Sequence, residues 1–187
     1  MQARRRGWLA AGMVVVLLGL GTTGALAASQ HAHEHGTGRV NIVLEGTQAT
    51  VEVLAPAESI YGFEHRARTA ADQQRRDAAL ERLKANISTM IVFEAERGCT
   101  FMAKQVAVVE EQAHQHGKGR AASKSAEHSE VQAEFQVQCA KPLTGSQVTF
   151  GITKTFPALH RVQVQVLSAT GQRGAEIKRD RGRVTLP

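Results

Sequence analysis

The sequence predicts an α+β domain made mainly of antiparallel β strands, with one main helix. Several segments alternate apolar and polar residues with the period of two that is typical of half-buried strands, most clearly residues 131–139. Short turns separate neighbouring strands, which favours antiparallel pairing. Only one long segment, residues 69–86, places its apolar residues at helical spacing.

Residues 1–27 have the three parts of a cleavable secretory signal peptide. Residues 4–6 are arginines, residues 8–20 form an apolar run of about 13 residues, and residues 25–27 are an A-x-A cleavage site. An apolar run of this length is too short for a stable membrane span. We expect export, a mature chain that begins at Ala28, and no membrane anchor after cleavage. A twin-arginine signal and an uncleaved anchor are the alternatives.

The basic charge of the chain comes partly from this leader. The formal net charge is +6, and loss of the three leader arginines lowers it to +3. The remaining Lys and Arg residues form no stripe interleaved with aromatic residues, so we expect no nucleic-acid partner. The mature chain, residues 28–187, has the length of a single domain.

The first half of the mature chain predicts a hairpin, a loop and the helix. Residues 39–44 and 49–54 alternate apolar and polar around a short turn, so they should form a β-hairpin. Residues 57–68 indicate a connecting loop. Thr69, followed by Asp72, resembles a capping box and begins the helix.

The second half predicts further strands on both sides of one loop. Residues 112–127 are poor in apolar residues and carry two histidines, so we expect a flexible loop there. Gly171 and Gly174 should bracket a turn. Residues 90–93 are apolar but too few to assign. Seven or eight strands are expected in total, and in this half they occupy residues 99–109, 131–139, 147–152, 162–166 and 184–186.

All eight histidines of the chain follow the predicted leader. His31, His33 and His35 have a spacing of two, which in an extended backbone puts their side chains on one side about 6.5 Å apart. Neutral imidazole binds zinc, copper and nickel, and zinc also accepts a carboxylate. The sequence therefore indicates a site for a transition metal. The candidate ligands are His31, His33, His35, Glu64, His65, His114, His116, His128 and His160.

The hairpin suggests which of these histidines meet. His35 stands just before the first strand, and His65 follows the second strand after a short loop. Because the two strands of a hairpin return the chain to the same end, we expect His35 and His65 to share one zinc site. Glu64 or His33 would assist them. For a lone histidine such as His65, an ordinary packed or surface position is the competing interpretation.

A weak internal repeat extends this idea. Residues 34–36 and 127–129 both contain a Glu-His pair, and each stands before a strand, a turn and a second strand. His65 and His160 then each precede an arginine in a segment that contains phenylalanine. A true duplication would give two β halves related by a pseudo-twofold axis, with chance similarity as the alternative. The equivalent pairs would be His35 with His65 and His128 with His160.

The chain contains two cysteines, Cys99 and Cys139, and both follow the leader. In an oxidising compartment two cysteines favour a disulfide. Two thiolate ligands for zinc are the alternative, although no C-x-x-C spacing supports it.

Taken in order, these motifs resemble the ZrgA-like zinc-regulated periplasmic proteins of Gram-negative bacteria, and the resemblance covers essentially the whole mature chain. It implies zinc binding, a part in periplasmic zinc acquisition beside a zinc importer, and no established enzymatic activity. Family inserts can be long, dense His/Asp tracts, whereas residues 112–127 are sparse. The matching features are the leader, the H-x-H-E-H-G start, Gly62 to His65, Gly98-Cys99 with Cys139, the His-bearing insert, Phe156-Pro157 and Gly171-Gln172.

The function expected from the sequence is that of an exported zinc-binding protein that buffers or delivers zinc. Two alternatives stay open: a partner-binding β domain with incidental histidines, and a copper or nickel carrier, since H-x-H donors alone do not choose among these metals. The motifs of serine hydrolases, zinc proteases and P-loop enzymes are absent from the sequence, so we do not expect an enzyme.

Overall fold

The computed structural model describes residues 34–110, 128–178 and 182–187. In these ranges the chain forms nine strands and three α-helices, so the predicted α+β class is confirmed. The strands are β1 (Thr37–Glu45), β2 (Gln48–Pro56), β3 (Ile91–Phe93), β4 (Thr100–Glu110), β5 (Ser129–Gln138), β6 (Gln147–Phe150), β7 (Arg161–Ser168), β8 (Gly171–Lys178) and β9 (Gly182–Thr185). The helices are α1 (Ala57–Tyr61), α2 (Ala70–Met90) and α3 (Ile152–Thr155).

Six strands form one sheet in the order β4-β5-β2-β1-β7-β8, and β3, β6 and β9 form a second, three-stranded sheet. Neighbours pair antiparallel except β1 and β7, which are parallel from Thr37 opposite Arg161 onward. The predicted hairpin is present, and its two strands close around a two-residue turn between Glu45 and Gln48.

One face of the large sheet is buried along its four central strands, and α2 contacts the edge strand β4. Alternation of apolar and polar residues determines this arrangement, because every second side chain of a strand points to the same face. Burying such a side chain stabilises the fold by about 1.5–3 kcal/mol. Fully buried members of this core include Val40, Ile42, Val51, Leu83, Phe135 and Val166.

The long helix begins where the sequence predicted. The Thr69 Oγ1 accepts a hydrogen bond from the Asp72 backbone N–H at 3.1 Å, which satisfies one of the free N–H groups of the first turn. Helix α2 ends at Met90, beyond the predicted Asn86, because Ile91 takes an extended conformation and pairs with Phe150.

Two local predictions are wrong. The expected loop 57–68 contains α1, a helix of five residues, which is too short to show helical periodicity. The expected turn at Gly171 and Gly174 belongs to strand β8, where Gly174 lies opposite Gln165. Strand β8 lies at the sheet edge and is largely exposed, so its sequence lacks the apolar alternation of a half-buried strand.

The internal repeat is not matched by the sheet topology. Strands β1 and β2 form a hairpin, whereas β5 and β6, their counterparts in the repeat, lie in different sheets. This topology argues against two pseudo-twofold-related β halves, although the α+β class itself stands.

Cys99 and Cys139 form the predicted disulfide. Cys99 immediately precedes β4 and Cys139 immediately follows β5. The pair therefore joins these two strands at the end of the sheet where β4 begins and β5 ends.

The opposite end of the sheet collects the segments that carry histidines. Pro56 of β2 pairs with Glu130 of β5, and Glu110 of β4 pairs with Ser129. Strands β1, β5 and β7 therefore begin, and β2, β4 and β8 end, at this one end of the sheet. This arrangement brings three histidines to the same end of the sheet, since they stand just before β1, β5 and β7: His35, His128 and His160.

Candidate metal centre

Three side chains at this end of the sheet form a cluster that could hold a metal ion. His35 Nδ1 lies 2.8 Å from Glu58 Oε2 and 3.6 Å from Glu64 Oε1. One donor atom from each of the three residues lies within 4.8 Å of the others. Such a group is close enough to converge on one cation after small side-chain movements.

Local structure explains how these residues meet. His35 is in the turn before β1, and Glu58 is in α1, which follows directly from β2. Because β1 and β2 are antiparallel, the start of one lies beside the end of the other. Helix α1 ends at Tyr61 and is capped by Gly62, and Glu64 follows two residues after the cap. The hairpin thus brings together both ends of the segment that supplies all three donors.

Glu64 is the most enclosed member of the cluster, with a side chain 14% exposed. Its Oε2 lies 2.7 Å from His128 Nδ1, and its backbone oxygen accepts a hydrogen bond from Ser129 Oγ at 2.7 Å. Its Oε1 is buried and has no hydrogen-bond partner within the described part of the chain. Burying an oxygen in this way is unfavourable, so Oε1 is well suited to accept a cation.

The charge of the site also favours a cation. With neutral imidazoles, Glu58 and Glu64 give it two negative charges, and a divalent ion between them would offset their repulsion. A hydrogen bond from the His35 imidazole to Glu58 requires the proton on Nδ1, so this proton must leave before Nδ1 can bind a metal. The arrangement offers nitrogen and oxygen donors and no sulfur, a set that zinc accepts.

His65 lies outside this cluster. Its Nδ1 is 3.0 Å from the Arg66 backbone oxygen, and its ring stacks on Phe63 with centroids 4.6 Å apart. Phe63 in turn contacts Tyr61, whose burial raises the pKa of the phenol above its ordinary value. Of the two neighbouring candidates, His65 packs on Phe63, whereas the Glu64 carboxylate lies 3.6 Å from His35.

The other candidate ligands have different places. His160 is exposed and packs against Gly36, outside the three-residue cluster. It also lines a cleft of about 510 Å³ together with His35, Arg161 and Lys178. His31, His33, His114 and His116 lie outside the described residues, as do the predicted signal peptide and the predicted loop 112–127.

Sequence reasoning missed one donor, Glu58. The same hairpin argument that selected His65 could have found it, since Glu58 follows β2 more closely. The contact of His128 with Glu64 depends on the pairing of β2 with β5, two strands far apart in the chain whose pairing no local pattern predicts.

The fold and the site together define an α+β protein with a mixed His/Glu donor cluster at one end of its main sheet. A sequence model of the ZrgA family, described as zinc uptake proteins, matches residues 32–186. The chain belongs to this family, as the motifs predicted. The description concerns zinc uptake and not a catalytic reaction. No curated protein sequence matches the chain. Among the described residues, no helix is both long and apolar enough to cross a membrane.

Proposed function

We propose that this protein is exported to the periplasm, binds zinc there, and buffers the ion or delivers it during zinc acquisition. The observation that carries the proposal is the meeting of His35, Glu58 and Glu64, whose donor atoms lie within 4.8 Å of one another. Membership of a zinc uptake family agrees with this chemistry. The partners would be components of a periplasmic zinc importer.

The exposure of the donors suits an ion that must be released. The His35 and Glu58 side chains are 61% and 51% exposed, whereas Glu64 is largely enclosed. An acceptor could therefore approach the ion from the side of His35 and replace these ligands one at a time. Fully enclosed structural zinc sites have four protein ligands and no such open position.

The test is a metal titration of the mature chain, 28–187, with zinc, copper and nickel. A His35→Ala variant should lose tight zinc binding, while a His65→Ala variant should bind as the wild type does, because His65 packs on Phe63 away from the cluster. Circular dichroism should first establish that both variants are folded. Equal zinc affinity in all three proteins would contradict the proposal and favour a partner-binding domain with incidental histidines.

The choice of metal needs its own comparison, because copper binds most nitrogen and oxygen sites more tightly than zinc does. We expect copper or nickel to bind but zinc to be the ion found in protein isolated from the periplasm. Copper or nickel in the isolated protein would support the alternative carrier function. A His114→Ala/His116→Ala variant should keep the tightest zinc site, since the cluster already contains three donors without these residues.

A further inference from the structure

The turn that carries His35 is fixed to the start of strand β7. The backbone oxygen of Gly36 accepts hydrogen bonds from the backbone N–H groups of His160 and Arg161, at 2.8 and 3.1 Å. These contacts continue the parallel pairing of β1 with β7, which starts at Thr37 opposite Arg161. The position of the His35 backbone therefore depends on β7 as well as on its own hairpin.

The ring of His160 packs on the one residue of this turn that has no side chain. Gly36 has a φ of +76°, and a Cβ built on it would overlap the His160 ring at Cδ2 and Nε2. It would also lie 3.1 Å from the Ala158 backbone oxygen. Any other residue at position 36 would be strained in its backbone and would displace either the ring or the turn.

Glu34, the residue before His35, is also held in place. The Arg161 guanidinium lies 3.2 Å from Glu34 Oε1, and the Thr37 N–H donates to the Glu34 backbone oxygen at 3.0 Å. An exposed ion pair of this kind contributes little to stability. His35 therefore lies between two residues that both contact β7 or the residue before it: Glu34, through the ion pair, and Gly36, through its backbone oxygen.

Resting on the proposed function, we infer that His160 is a positioning residue for the zinc site and not one of its ligands. Its ring and backbone N–H hold the turn 34–37 so that His35 Nδ1 faces Glu58 and Glu64. The Cδ2–Nε2 edge of the ring faces Gly36, and His160 does not belong to the donor cluster found among the described residues. Residues that orient a metal ligand change metal affinity by about 10–100-fold when they are altered.

Two substitutions of His160 distinguish positioning from ligation. His160→Phe keeps a planar ring against Gly36 but has no donor nitrogen, whereas His160→Ala removes the ring. We expect His160→Phe to bind zinc within about threefold of the wild type and His160→Ala to bind about tenfold more weakly. The visible spectrum of bound Co²⁺, which reports its ligands, should be the same in the wild type and in His160→Phe.

A substitution of Gly36 provides a second test of the same contact, and Gly145 offers a matched control. Gly145 has a φ of +78°, and a Cβ built there meets no atom within 4 Å. Gly36→Ala and Gly145→Ala therefore carry the same backbone strain, but only the first displaces His160. We expect about tenfold weaker zinc binding in Gly36→Ala and no more than a twofold change in Gly145→Ala. The double variant Gly36→Ala/His160→Ala should bind no more weakly than His160→Ala alone, because both substitutions break the same contact.

All variants are the full mature chain, titrated with zinc against a chromogenic chelator after circular dichroism has confirmed the fold. If Gly36→Ala does not fold, the two His160 variants decide the question alone. Equal losses in His160→Phe and His160→Ala, with a changed Co²⁺ spectrum, would make His160 a ligand. Wild-type affinity in His160→Ala would also overturn the inference. A wild-type protein without zinc affinity would instead refute the proposed function, and the inference with it.

Discussion

Glu64 Oε2 lies 2.7 Å from His128 Nδ1, although 64 positions separate the two residues in the chain. The pairing of β2 with β5 makes this contact possible, because it places the residue before β5 beside the segment that follows β2. The hydrogen bond occupies one carboxylate oxygen and leaves the other, Oε1, directed toward His35. His128 thus fixes the orientation of the best enclosed donor in the cluster.

The first prediction concerns Glu64. Glu64→Gln should weaken zinc binding at least tenfold, because an amide oxygen is a poorer zinc ligand than a carboxylate. Without metal, the variant should be as stable as the wild type or more stable by up to about 1 kcal/mol, since burying a neutral amide costs less than burying a charged carboxylate. Zinc titration and urea unfolding measure the two effects.

Glu110→Gln is the matched control for charge. Glu110 lies at the same end of the sheet, but it pairs with Arg66 and is 49% exposed. Its substitution removes the same charge without removing a donor, so zinc affinity should change by no more than about twofold. Equal losses in both variants would show that Glu64 acts only through the overall charge of this end of the sheet.

The second prediction concerns the disulfide. It closes a loop with a sequence separation of 40, so a Cys99→Ala/Cys139→Ala variant should lose about 4 kcal/mol of unfolding free energy on the chain-entropy model. Zinc affinity should be unchanged, because the length of β5 separates Cys139 from His128, about 30 Å for ten residues. Mass spectrometry should find no free thiol in the exported wild-type protein. Two alkylatable thiols, or a lost zinc site in the variant, would contradict this account.

The sequence predicted those parts of the molecule that depend on local pattern or on neighbouring strands. Alternation placed β1, β2, β5 and β7, and the Thr69 cap placed the start of α2. The six-strand order and the parallel pair β1–β7 depend on contacts between distant segments, which one sequence does not reveal. The site follows the same division: the hairpin brings His35 to Glu64 locally, whereas His128 arrives through a distant strand.

The third prediction concerns the helix start and its dependence on pH. The hydrogen bond with the Thr69 side chain holds the pKa of the Asp72 carboxyl below its ordinary value. A lowered pKa in the folded state means that the ionised carboxyl stabilises the fold above the unfolded-state pKa, and that this contribution disappears as the pH falls through the folded-state value. Asp72→Asn should therefore lower stability at pH 7 but not at a pH below both pKa values. A stability loss of equal size at every pH would contradict the stabilising role of the ionised Asp72 carboxyl.

The last prediction concerns zinc itself. An ion that binds only the folded protein should raise the unfolding free energy by about 2.7 kcal/mol at a free zinc concentration of 100 times the dissociation constant. Because a bound imidazole must be neutral, protons compete with zinc at His35, and the stabilisation should shrink as the pH falls from about 7 toward 5. Thermal unfolding with and without zinc, at several pH values, measures this difference. In His35→Ala the zinc-dependent increment should be small at every pH, whereas His65→Ala should behave as the wild type. A zinc-dependent increase in unfolding free energy that does not change with pH would mean that carboxylates alone bind the ion and that the histidines lie near it without binding it.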